Sequence, residues 1–299
     1  MTFRDDARLN PSRVQRRGRA TGATGMAIGG GLGGLILVIV GMFLGVDLSA
    51  LGIGGDAGSS VTVADPERQA DFESRCNSGE AANEYSDCRV AGTVNSLDSY
   101  WSSAAPAAGF DFEYPGIVIF DDVTSTACGT ASSQTGPFYC PPDQTIYIDV
   151  TFFDVLVQRF GSSDGPLAEM YVVAHEYGHH IQQLAGVFDV ADRSGSGADS
   201  DSVQVELMAD CFAGVWASHA ASAPGPDGTP YLQPLTKEDI LDAVEAARAV
   251  GDDRIMEASQ GYADPDQFTH GTSEQRVEAF LAGYRSGLPN TCDYFNVID

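Results

Sequence analysis

The sequence predicts an α+β fold, mainly helical with a small β-sheet and preceded by one transmembrane helix, on three observations. Several long stretches bring apolar residues round at helical spacing, whereas only two short ones alternate or run apolar as strands do. Between Arg19 and Asp47 no residue is charged, a span of 27. And with 43% hydrophobic residues, the 299-residue chain can fill a substantial core, which excludes wholesale disorder.

Taken from the N-terminus, residues 1–25 hold six arginines (Arg4, Arg8, Arg13, Arg16, Arg17, Arg19) and read as a basic cytoplasmic tail. Residues 26–46 read as the anchor. Their most apolar part runs from Leu35 to Leu44, and the whole suffices for one membrane-crossing helix of about 20 residues. The flanking arginines set the tail inside the cell, which places residues from Asp47 onward outside. A cleaved signal peptide is the rival, but no convincing small-x-small cleavage site follows the apolar run. Residues 47–66, rich in Gly, Ser and Ala, read as a linker, and 67–299 as one domain without internal repeats.

Within the domain, 93–104 has helical spacing, with Val94, Leu97 and Trp101 on one side. Strands are expected at 116–120 and 144–149, the second following the turn signal Cys140-Pro141-Pro142-Asp143. Helical spacing resumes at 152–160 and again at 167–185, where Gly186 is the expected stop. A Ser/Gly/Asp loop at 189–202 leads to a helix at 203–220, and a Pro/Gly-rich connection to another at 236–250. Thr272 with Gln275 forms a capping box for a last helix, ending near Gly287.

Charge narrows the function. The net charge is −26, and residues 26–299 alone carry ten basic and forty acidic residues. So acidic a chain repels nucleic acid, and no basic patch with interleaved aromatics exists beyond the N-terminus. All six cysteines follow the anchor, as expected for disulfides in an oxidising compartment. Six cysteines allow 15 pairings. Local loops favour Cys76–Cys88 and Cys128–Cys140, which leaves Cys211–Cys292.

The chemistry is carried by His175-Glu176-Tyr177-Gly178-His179. On a helix, His175 and His179 project from one face a turn apart, as joint ligation of one metal ion requires. Glu176 follows the first ligand and lies beside the site, where it can take a proton from a metal-bound water. A helix whose histidines merely satisfy local hydrogen bonds is the plainer reading; the apolar approach (Met170, Val172, Val173, Ala174) and the exported chain weigh against it. The longer HExxHxxGxxH pattern is excluded, because Gln182 and Ala185 stand where Gly and His are needed. Glu206 and Asp210 lie one turn apart on the next helix, in a stretch too apolar to read as a solvated face. They suit a third metal ligand, Glu206, and an acceptor for the outer N–H of a ligand histidine, Asp210.

Three histidines remain. His180 points about 100° away from His179 and His219 lies off the Glu206 face, so neither is expected to ligate. His270 precedes a capped helix and can reach the site from a loop, either as a donor to charge developing in a transition state or as a loop histidine bonding backbone. Gly178 inside the metal helix suggests the close approach of a neighbouring element or of substrate.

These residues resemble the bacterial neutral zinc metallopeptidases of the YpfJ type. The matching stretches are His175-Glu176-Tyr177-Gly178-His179-His180-Ile181-Gln182, the run from Glu206 through Asp210 to Gly214, and Phe268-Thr269-His270-Gly271-Thr272-Ser273. Gly136-Pro137-Phe138-Tyr139-Cys140-Pro141 is similar too. The resemblance covers roughly residues 70–290 and implies a zincin-like fold with Zn2+ on His175, His179 and Glu206, Glu176 as base, and a peptide or protein substrate. The competing class is a membrane-tethered binding or scaffold domain with a closed, four-ligand structural zinc. Three ligands plus an intact base favour the open, catalytic site.

Overall fold

The computed structural model describes residues 2–17, 65–133 and 135–298. The expected anchor, and the linker up to residue 64, lie outside the described residues. Among the described residues no helix is long and apolar enough to cross a membrane.

In chain order the elements are β1 (Gln15–Arg16), α1 (Pro66–Arg75), α2 (Gly79–Glu84), α3 (Ser86–Ala107), β2 (Gly116–Ile119), the hairpin β3 (Val123–Thr126) and β4 (Gly129–Ser132), β5 (Phe138–Cys140) and β6 (Thr145–Ile148). Then follow α4 (Thr151–Phe160), α5 (Pro166–Leu184), α6 (Val187–Val190), α7 (Asp201–His219), α8 (Lys237–Ala249), α9 (Asp252–Gln260) and α10 (Ser273–Ser286). The class is α+β, helices predominating. One sheet has the order β1-β2-β6-β5, parallel except for β5, and the β3–β4 hairpin stands apart.

Helix α5 is the axis of the domain. Pro166 opens it at a position where its missing N–H costs nothing, and Gly186 in the left-handed region ends it. Nearly every side chain from Leu167 to Gln182 is buried, so this helix is enclosed on all sides, and α3, α7 and α8 pack around it. A Cβ on Gly178 would sit 3.0 Å from the Ala209 backbone of α7, so the glycine sets how closely the two site-bearing helices approach. Helices α7 and α10 meet the same way: a Cβ on Gly214 or Gly283 would lie 2.0 Å from the Phe280 or Cys211 carbonyl oxygen. The three disulfides are Cys76–Cys88, Cys128–Cys140 and Cys211–Cys292, the pairing that short local loops favour.

The N-terminus departs from expectation. Residues 2–17 pack on the domain as part of the folded body. Phe3 and Val14 are fully buried, and β1 lies parallel against β2. The Asn83 side chain brackets the Phe3 backbone at 3.0 Å on both N–H and C=O, and Asn95 accepts from the Asn10 N–H at 2.6 Å. Arg13 pairs with Asp98 at 2.6 Å and Arg16 with Asp121 at 2.6 Å. The basic run thus answers specific carboxylates of the domain. The linker also ends early, since Asp65 caps α1 by accepting from the Glu67 and Arg68 N–H groups.

Candidate metal centre

Helices α5 and α7 bring three donor atoms to one point. The Nε2 atoms of His175 and His179 are 3.2 Å apart. Glu206 Oε2 lies 3.2 Å from His175 Nε2, and Oε1 lies 3.5 Å from His179 Nε2. Ligands about 2.0–2.1 Å from one tetrahedral zinc stand about 3.3 Å from each other, so these spacings fit that ion without rearrangement. Among the described residues no fourth His, Cys, Asp or Glu joins the group.

The lone pairs face inward because the outer nitrogens are spoken for. His175 Nδ1 is 2.8 Å from Asp210 Oδ1, and a carboxylate only accepts, so that nitrogen carries the proton. His179 Nδ1 is 2.8 Å from Gln182 Oε1, whose amide nitrogen donates to the Val205 carbonyl, fixing the second ring likewise. Asp210 is in turn clamped by Arg276 from α10, Nε to Oδ2 at 2.8 Å and Nη2 to Oδ1 at 3.0 Å, and it accepts from the Tyr171 hydroxyl. Burial alone would lower His175, but Asp210 and Glu206 outweigh it and raise the ring to about 9, so an ion taken up at Nε2 has a proton to displace there. Burial takes His179 down to about 4.

Glu176 stands beside this cluster. Burial lifts its carboxyl to about 7, against the Tyr139 backbone N–H that bonds it, and its Oε2 is buried without a hydrogen-bond partner. An unsatisfied buried oxygen is costly, and Glu176 lines the same cavity as the three donors.

His270 closes the site from the loop before α10 and lines the same cavity as Glu206. Its place is fixed by Asp252. One carboxylate oxygen accepts from the backbone N–H groups of Thr269, His270 and Gly271 at 2.8, 2.7 and 3.1 Å; the other lies 3.2 Å from His270 Nδ1. Burial opposes the imidazolium, but Asp252 and Glu206 prevail and raise His270 above its ordinary value. Gly271, in the left-handed region, makes the turn that returns this loop to the Thr272 cap.

The two other histidines lie away from the centre. His180 Nε2 is 2.8 Å from the Glu113 carbonyl and Nδ1 is 3.0 Å from the Tyr139 hydroxyl. His219 Nε2 is 2.9 Å from the Gly287 carbonyl, and its ring stacks on Tyr100. Sequence reasoning missed Arg276, Asp252 and Gln182. Gln182 served there only to exclude a longer motif, although its three-residue spacing from His179 on a helix is the signal that finds it.

Two imidazoles and a carboxylate sharing one point, next to a carboxylate with an unused oxygen, form a site that can hold one metal ion. The chain belongs to the family described as "Putative neutral zinc metallopeptidase", which it matches over residues 4–295, and Zn2+ is accordingly its metal. Among its relatives, a Mycobacterium tuberculosis protein is 48% identical over 227 residues, 76% of each chain. YpfJ of Escherichia coli is 36% identical over 300 residues, covering 98% of this chain and 96% of the relative. No solved structure matches the chain.

Proposed function

We propose that the protein hydrolyses peptide bonds at this centre, with His175, His179 and Glu206 as ligands and Glu176 as general base. The observation that carries the proposal is the unpartnered Glu176 Oε2 beside three converging donors. Zinc held there supplies Lewis acidity toward a water molecule and the scissile carbonyl. Glu176, raised to about 7, takes the proton of that water and can return it to the leaving amine. His270, held charged by Asp252, donates from Nε2 to the oxygen on which negative charge develops. A closed structural zinc would need a fourth protein ligand, and the spare carboxylate oxygen argues against it.

Location belongs to the same proposal. Three disulfides suit an oxidising, extracytoplasmic compartment, and the uncharged stretch at 26–46 would meet a membrane from the domain's side without a single crossing, which would part residues 2–17 from the domain. The packing of residues 2–17 favours an N-terminal segment on the domain's own side rather than in the cytoplasm.

The test is Glu176→Gln in the zinc-loaded full chain against a quenched-fluorescent peptide library. Zinc stoichiometry should stay near wild type while hydrolysis disappears, because the change removes the base and no ligand. Wild-type turnover in the variant would refute the mechanism.

A further inference from the structure

Beside the metal ligands a cavity of about 90 Å³ opens into the domain, and its far walls are almost wholly apolar. Phe152 and Phe160 come from α4, Tyr171 and Val172 from α5, Val250 from the end of α8, and Ile255 from α9. Four elements converge here without filling the space between them. The ionisable groups at the mouth are already committed. Arg276 gives its guanidinium to both oxygens of Asp210, His270 is tied to Asp252, and Glu206 faces the two ligand histidines. The exception is Glu176 Oε2, which meets no partner.

We infer that this pocket selects the substrate: it takes an uncharged aliphatic side chain of Leu, Ile or Met size on a residue flanking the scissile bond. The inference rests on reading the centre as a peptidase site. A cavity with apolar walls holds water poorly, so an apolar side chain entering it gains what it loses from solvent. A charged side chain would be stripped of water and find no free counter-ion, since Arg276 is saturated and Glu176 is needed as base. Size sets the other limit. An engineered apolar cavity of about 150 Å³ takes benzene, and the space of about 90 Å³ here includes the end bordered by the metal ligands, so what is left suits an isobutyl group and strains to hold a benzyl one.

The test uses the zinc-loaded full-length protein and simple hydroxamates, which bind through the metal whether or not the protein cleaves anything. Compounds differing only in a methyl, isobutyl, carboxymethyl or aminobutyl substituent would be compared by calorimetry. The isobutyl compound should bind roughly 10- to 50-fold more tightly than the methyl one, with both charged compounds weaker than the isobutyl. In Ile255→Trp, which fills the pocket, the isobutyl-to-methyl ratio should collapse to within about 3-fold; in Phe160→Ala, which widens it, the optimum should move to benzyl. Equal affinity across the series in the wild type, no binding at all, or preference for a charged substituent would overturn the inference. A peptide library then separates the two readings. Isobutyl preference without cleavage would leave the pocket standing and remove the peptidase reading. Cleavage with no aliphatic preference would do the reverse.

Discussion

His179 and His180 are neighbours on one buried helix and meet opposite fates. On the front of α5, His179 turns Nε2 toward two other donors, and Glu176 beside it keeps an oxygen with no partner. On the back, His180 has both nitrogens in contact with fixed oxygens, and Tyr177 gives its hydroxyl to Asp98 at 2.8 Å. Both faces are buried, and both histidines are pushed down to about 4 by that burial. Burial and residue type therefore do not distinguish a working face from a structural one. The difference is whether the polar groups are used up. The back face is complete as it stands; the front is complete only with an ion and a reactant.

The largest effects should come from the front. His179→Ala or Glu206→Ala removes one of three ligands, so metal analysis after dialysis should find zinc content well below one per chain and hydrolysis at background. Full occupancy in either variant would mean that the converging donors do not hold the metal.

Next in size is His270. His270→Ala should lower kcat by roughly 100-fold with KM and zinc content little changed, as loss of a transition-state donor does. Asp252→Asn keeps an acceptor for the loop N–H groups but removes the charge that holds the imidazolium, so a smaller loss, about 10-fold, is expected. The sign in pH follows from the raised His270 value: activity that needs the charged ring is present at low pH and lost as pH rises through it. Taking Asp252 away should thus move the alkaline limb of kcat to lower pH. The ring's contribution to stability runs the same way, full below the unfolded-state value near 6.5 and lost above the folded one. If Asp252→Asn slows the enzyme just as much in a His270→Ala background, Asp252 acts through something other than His270.

Much of the front was legible because its logic is local. His175, Glu176 and His179 sit on one helix at fixed spacing, and Glu206 and Asp210 repeat the pattern on another. What escaped is tertiary. Arg276 lies 66 positions from Asp210 and Asp252 lies 18 from His270, and no periodicity links such pairs. Helices α1, α2 and α9 and the β3–β4 hairpin were missed because they are short and polar, with too few apolar residues to mark a spacing. Residues 2–17 were hidden by composition: an arginine-rich run before an uncharged stretch has the look of a cytoplasmic flank, and Phe3 and Val14 are too isolated to announce a core.

Changes on the back should cost stability and leave chemistry alone. His180→Phe strands the Glu113 carbonyl, while the Tyr139 hydroxyl keeps Gln183, and about 1–3 kcal/mol of folding free energy should be lost with zinc content intact. Zinc loss without a change in melting temperature would erase the distinction between the faces.

The smallest expected effect lies furthest back. Arg13 bonds Asp98, and Asp98 receives the Tyr177 hydroxyl, so the N-terminal segment reaches the metal helix through two contacts. Arg13 is partly exposed and a glutamine there can still donate to the buried Asp98, which keeps the loss modest: Arg13→Gln should cost about 1 kcal/mol in denaturant unfolding, without altering kcat. That small loss depends on residues 2–17 sharing a side of the membrane with the domain. Tags at the two ends, probed with external protease on intact cells, should therefore be reached together. If only the C-terminal tag is cleaved, the segment lies across the membrane from Asp98, and Arg13→Gln should then change the stability of the membrane-inserted protein not at all.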